Sequence, residues 1–109
     1  MLDFRSTTVT NTSTTIKTTG ADVGMVNIVN RHSAAIFVKF YNSPVATFQD
    51  TPIITAEVLA NAAITVALPA LSAYIFSSTN GLSVRAVTGA TDSDNTAPAT
   101  TPIIEIRYN

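Results

Sequence analysis

The chain has no cysteine and no tryptophan, a single histidine, four glycines, and only six basic and seven acidic side chains in 109 residues. Without cysteine there is no disulfide framework, thiolate metal site, iron–sulfur cluster or thiol nucleophile. One histidine excludes a multi-histidine metal centre within one chain. A net charge of -1 and a pI near 5.6 leave no positive field to hold polyanions or anionic lipid, so neither nucleic acid nor a membrane is expected as a partner. No stretch approaches the roughly 18 apolar residues of a spanning helix, and Met1-Leu2-Asp3-Phe4-Arg5 lacks the basic and apolar regions of an export signal. A soluble chain made without a standard export signal is the expectation.

What is abundant is β-branched. Eighteen threonines join ten valines and ten isoleucines, residues whose stiff χ1 favours extended backbone. The length suits one domain, with a folded surface of about 5,800 Å². Residues 1–20 differ in texture, because eight threonines are relieved only by Val9 and Ile16 as aliphatic side chains between Ser6 and Thr19. With so little to bury, this segment is expected to be a mobile arm or an edge strand needing a partner. Residues 21–109 form the expected β-sandwich domain.

Within it, short apolar runs alternate with turn chemistry. Residues 25–30 form one run. In 35–41, Ile36, Val38 and Phe40 share one face while Phe37, Lys39 and Tyr41 share the other, so this strand is central or at a subunit contact. Asn42-Ser43-Pro44 breaks it, and Gln49-Asp50-Thr51-Pro52 introduces a strand over 53–58. Residues 59–62 read as a connection, 64–68 as a half-buried strand ending at Pro69, and 71–77 as another. Asn80-Gly81 predicts a hairpin into 82–88. A polar loop follows, and Ile104, Ile106 and Tyr108 share a face of the last strand. Seven or eight short strands and no long helix point to an all-β antiparallel sandwich of jelly-roll type.

Sites for chemistry are sparse. His32 lies beside Ser33, but adjacent side chains do not normally face each other and nothing nearby orients the ring. Asp92-Ser93-Asp94-Asn95-Thr96 offers spaced oxygens for a hard cation, yet Ala97 and Ile103 stand where a calcium hand requires glycine and glutamate, and a solvated Asx turn is the simpler reading. Glu57 and Glu105 are the only glutamates, read as outward strand charges paired across the sheet with Arg85 or Arg107. Too few ionisable groups remain to assemble a nucleophile, a base and an electrostatic stabiliser, so no enzyme, cofactor or small-molecule substrate is expected. Scarcity of lysine and glutamate instead matches the centre of protein interfaces.

The segments Val38-Lys39-Phe40-Tyr41-Asn42, Asp50-Thr51-Pro52-Ile53-Ile54-Thr55, Phe76 with Gly81-Leu82-Ser83, 87–96 and 103–108 resemble small virion structural proteins of tailed bacteriophages, among them capsid decoration or cement proteins. Leu59-Ala60-Asn61-Ala62-Ala63 departs from the pattern, which carries a glycine-rich turn there, and the segment before Gly20 lies outside it. The resemblance implies a sandwich on the capsid exterior that bridges copies of the major capsid protein, often as a dimer or trimer. A tail, baseplate or fibre component is the alternative within virions, and a carbohydrate-binding module is the alternative outside them. The candidate contacts are Phe4, Val9 and Ile16 on an arm over 2–19 that adds a strand to a neighbour, and Phe37, Lys39 and Tyr41 on the double-faced strand.

Overall fold

The computed structural model describes residues 2–67 and 74–109, and these form nine antiparallel strands in two sheets with no helix among them. The strands are β1 (Leu2–Ser6), β2 (Thr14–Lys17), β3 (Ala21–Val29), β4 (Ile36–Tyr41), β5 (Ile54–Val58), β6 (Ala63–Ala67), β7 (Phe76–Ser78), β8 (Leu82–Val87) and β9 (Ile103–Tyr108). One sheet has the order β1-β9-β3-β6, with β7 pairing the start of β3, and the other has the order β2-β8-β4-β5. The pairs nest, since β1 meets β9, β2 meets β8, β3 meets β6 and β7, and β4 meets β5. A doubled ribbon rolled up in this way is the jelly-roll wrapping of a β-sandwich.

Alternation builds the core. Val23, Val26, Ile28, Ile104 and Ile106 from the first sheet meet Ile36, Val38, Phe40, Val58, Leu82, Val84 and Ala86 from the second, all essentially without exposed surface. Phe40 and Phe76 pack with ring centroids 5.3 Å apart and planes tilted by 45°, joining the sheets at one end. At the other end of β3 the buried Asn30 donates from Nδ2 to the carbonyls of Ala34, Val58 and Leu59, and its Oδ1 accepts from the amide of His32. That one side chain ties the end of β3 to the turn between β5 and β6.

The structure decides two expectations. Of the mobile arm and the edge strand expected over residues 1–20, it shows edge strands: β1 and β2 are the outer strands of opposite sheets, and Val9 between them is fully buried in the shared core. Asn80-Gly81 does not close a hairpin, because β7 pairs with β3 in one sheet while β8 joins the other. Gly81 does take the expected left-handed conformation (φ 118°), but the Asn42 side chain captures the amides of Thr79 and Asn80 at 2.8 Å each and steers the chain between sheets. The strand read over 71–77 is described only from its end, where β7 begins at Phe76, and Leu68, Pro69 and 71–73 lie outside the described residues.

Candidate functional site

The outer face of the β2-β8-β4-β5 sheet holds the least expected feature. Lys39 and Arg85 stand directly opposite each other on β4 and β8, and neither has any exposed surface. Two cations side by side would repel, and no carboxylate lies within ion-pair distance of either among the described residues. Oxygen dipoles hold them instead. Arg85 donates from Nε to the Asn11 carbonyl (2.6 Å), from Nη1 to the Tyr41 hydroxyl (2.8 Å), and from Nη2 to the Asp94 carbonyl (3.1 Å) and Asn95 Oδ1 (2.8 Å). Lys39 Nζ donates to the Thr91 carbonyl. The strand alternation that should expose these groups is overruled because residues 10–13 and 88–96 cross over the face and cover it. The pairing of Glu57 or Glu105 with Arg85 is therefore corrected: Arg85 is a buried organiser of loops, not a surface strand charge.

Burial pulls the Lys39 ammonium below the ordinary lysine pKa, the Arg85 charge adds to this, and Asp94 and Asp92 oppose it. A lysine with a lowered folded pKa binds fewer protons folded than unfolded over the window just under its ordinary pKa, so stability rises with pH there. Lys39→Met keeps the packing and removes both the repulsion and the desolvation. It is expected to be neutral or stabilising and to flatten that alkaline rise, as measured by urea unfolding across pH 7 to about 10.5. A variant that loses stability while keeping the rise would refute this origin.

The Asp94 and Asn95 oxygens of this segment are already engaged. Asp94 Oδ2 accepts from the amides of Gly89 (3.0 Å) and Thr96 (3.2 Å), closing the loop as an Asx turn, and a side chain at Gly89 would collide with that carboxylate at 2.6 Å. Beneath lie Lys39 and Arg85, whose fields oppose a divalent cation. Among the described residues no three metal-ligating side chains converge. Addition of calcium at about 1 mM, a concentration at which extracellular calcium modules bind, is expected to leave the thermal midpoint unchanged in calorimetry.

The other sequence candidates separate. Val9, Lys39 and Tyr41 are 0%, 0% and 1% exposed, so they present nothing for a second molecule to touch. Phe4 and Ile16 are half-buried and pack against the core from the two outer strands. Phe37 is half-buried between Val87 and Glu57 on its neighbouring strands. Glu57 and Glu105 belong to different sheets and point from opposite outer faces, the wrong arrangement for a catalytic carboxylate pair. His32 is a turn residue whose backbone carbonyl accepts from Asn61.

No family model, curated protein or solved structure matches this chain. Its surface must therefore be read on its own terms. Among the described residues seven large apolar side chains are exposed, and six of them, Val45, Phe48, Ile53, Ile54, Leu59 and Val66, come from a single stretch. That stretch is the β4–β5 loop, the edge strand β5, the turn after it and the edge strand β6. From residue 40 to residue 84 the only charges are Asp50 and Glu57, and there is no cation. The outer face of the β1-β9-β3-β6 sheet is the opposite in character. Arg107 pairs with Asp3 at 3.1 Å, Arg5 stands opposite Glu105, and Glu105 accepts from Asn27, which in turn accepts from Thr65. Sequence patterning could place charges on that face, but could not show which apolar side chains of the 45–66 stretch stay exposed.

Proposed function

We propose that the chain is a non-enzymatic structural protein of a tailed phage virion, a capsid cement or decoration protein that binds the outside of the head and bridges copies of the major capsid protein. The observation that carries this reading is the stretch 45–66, which exposes six large apolar side chains, includes two edge strands and carries no positive charge. Edges without lysine invite pairing with another chain, and a surface poor in charge loses little solvation when covered. The jelly-roll wrapping, common among capsid proteins, adds support by analogy alone. A protein that binds only the assembled shell stabilises it by mass action, and attachment as a homo-oligomer multiplies the effect.

The test is particle composition. Quantitative mass spectrometry and immunogold labelling of purified virions should find this chain on heads, in hundreds of copies per particle. Heads isolated without it and then supplied with the purified protein should become harder to disrupt by heat. Label confined to tails, in tens of copies or fewer, would assign it to the tail, and absence from particles altogether would end the virion reading.

A further inference from the structure

The outer edge of β1 is unpaired among the described residues, and its sequence, Leu2-Asp3-Phe4-Arg5-Ser6, is complementary to itself. Phe4 lies opposite Ile106, whose side chain is in the core, so Leu2, Phe4 and Ser6 face inward while Asp3 and Arg5 face outward. We propose that two copies of the chain pair antiparallel through β1, about a two-fold axis at Phe4, joining their β1-β9-β3-β6 sheets into one continuous sheet.

Charge complementarity selects both the partner and the register. In this register Asp3 of each copy stands opposite Arg5 of the other. Within each copy Asp3 already has Arg107 on its far side, and Arg5 has Glu105. The joined sheet then carries two symmetric rows whose signs alternate along the row: Arg107 and Asp3 of one copy, followed by Arg5 and Glu105 of the other. Directly opposite charges of unlike sign stabilise a sheet, and like charges destabilise it. The adjacent two-fold registers put Asp3 against Asp3 or Arg5 against Arg5, so both are disfavoured. A one-residue slip would set charges against the inward apolar row. On the inner face Phe4 meets its own symmetry mate, and Leu2, 55% exposed in the single chain, gains cover. The contact is isologous, so it closes at two copies and does not propagate.

This pairing gives the homo-oligomer of the proposed reading a symmetry, and it is tested on the free full-length protein, apart from any particle. Light scattering after size exclusion, at about 100 μM protein and low salt, should give twice the 11.5 kDa chain mass. The mass should fall toward the monomer at about 1 M salt, where screening acts over about 3 Å. Asp3→Arg alone sets arginines against arginines across the axis, and Arg5→Asp alone sets aspartates against aspartates. Each should be monomeric, with the dissociation constant raised about tenfold or more, while an equimolar mixture of the two sets arginines against aspartates and should recover a dimer. Asp3→Asn with Arg5→Gln, which removes charge without repulsion, should weaken the dimer and abolish its salt sensitivity, and circular dichroism confirms folding of each variant. A wild-type monomer under these conditions overturns the pairing and leaves shell attachment to the particle experiment. A dimer indifferent to every one of these substitutions overturns the β1 edge as its site.

Discussion

Removal of residues 1–19 is expected to abolish cooperative folding. β9 would lose the five paired positions of β1 and β8 would lose those of β2. The plug at Val9 would leave a fully buried site open, a loss of about 1.5–3 kcal/mol for that side chain alone. Long-range ties would go with it: Thr101 Oγ1 donates to the Thr7 carbonyl, the Ala86 amide to the Thr10 carbonyl (2.9 Å), and Arg85 to the Asn11 carbonyl. With the lost strand pairings these terms are comparable to the roughly 5–15 kcal/mol by which a domain is stable. The truncated chain should show no sharp thermal transition and no near-ultraviolet circular dichroism. A sharp melt within a few degrees of the full chain would mean that this segment is a dispensable arm after all.

The second large effect is expected at Arg85. Arg85→Met retains volume and removes a buried charge, but it takes the donor from the carbonyls of Asn11 and Asp94 and from the Tyr41 hydroxyl, and leaves Asn95 Oδ1 with only the Asn11 side-chain amide. Several buried acceptors lost at once cost about 3–4 kcal/mol. In a domain of this size that corresponds to a fall of roughly 15 °C in Tm. The loops of residues 10–13 and 88–96 should exchange their amides faster, because Arg85 is what both of them grip. Arg85→Lys keeps the charge but not the planar fork of donors, and should recover less than half of the loss. If lysine restored full stability, charge rather than directed hydrogen bonding would be the cause. The Lys39→Met substitution is the internal contrast, since the neighbouring cation has one bond to lose and repulsion to relieve.

Those two predictions rest on residues that differ in legibility. The strand over 36–41 was readable because apolar side chains at alternate positions have one physical explanation, a face turned to the core, and Ile36, Val38 and Phe40 occupy it. The same holds for Ile104 and Ile106. The all-β class followed from threonine, valine and isoleucine, and the connection at 59–62 from the want of enough residues to nucleate a helix. Two largely apolar faces also read as a strand that is central or at a subunit contact, and β4 is indeed an inner strand of its sheet, but the contact reading left the face of Phe37, Lys39 and Tyr41 free for a partner. It is not, because loops distant in sequence fold over it, and nothing local to Lys39 or Tyr41 announces a cover supplied by residues 10–13 and 88–96.

The N-terminal segment shows the boundary most plainly. Its threonine content signalled extended backbone and little to bury, and both are true of β1 and β2. Whether an extended segment hangs free or completes two sheets depends on the strands waiting beside it, β9 and β8, which begin some 65 residues or more further on. Composition and periodicity alone thus determined an antiparallel β-sandwich, its inward rows and its poverty of charge, because those are properties of neighbours along the chain. Tertiary structure decided the roll of the doubled ribbon, the burial of Lys39 and Arg85, and which apolar side chains between 45 and 66 stay exposed, because each depends on which distant segment arrives to cover a surface and which does not.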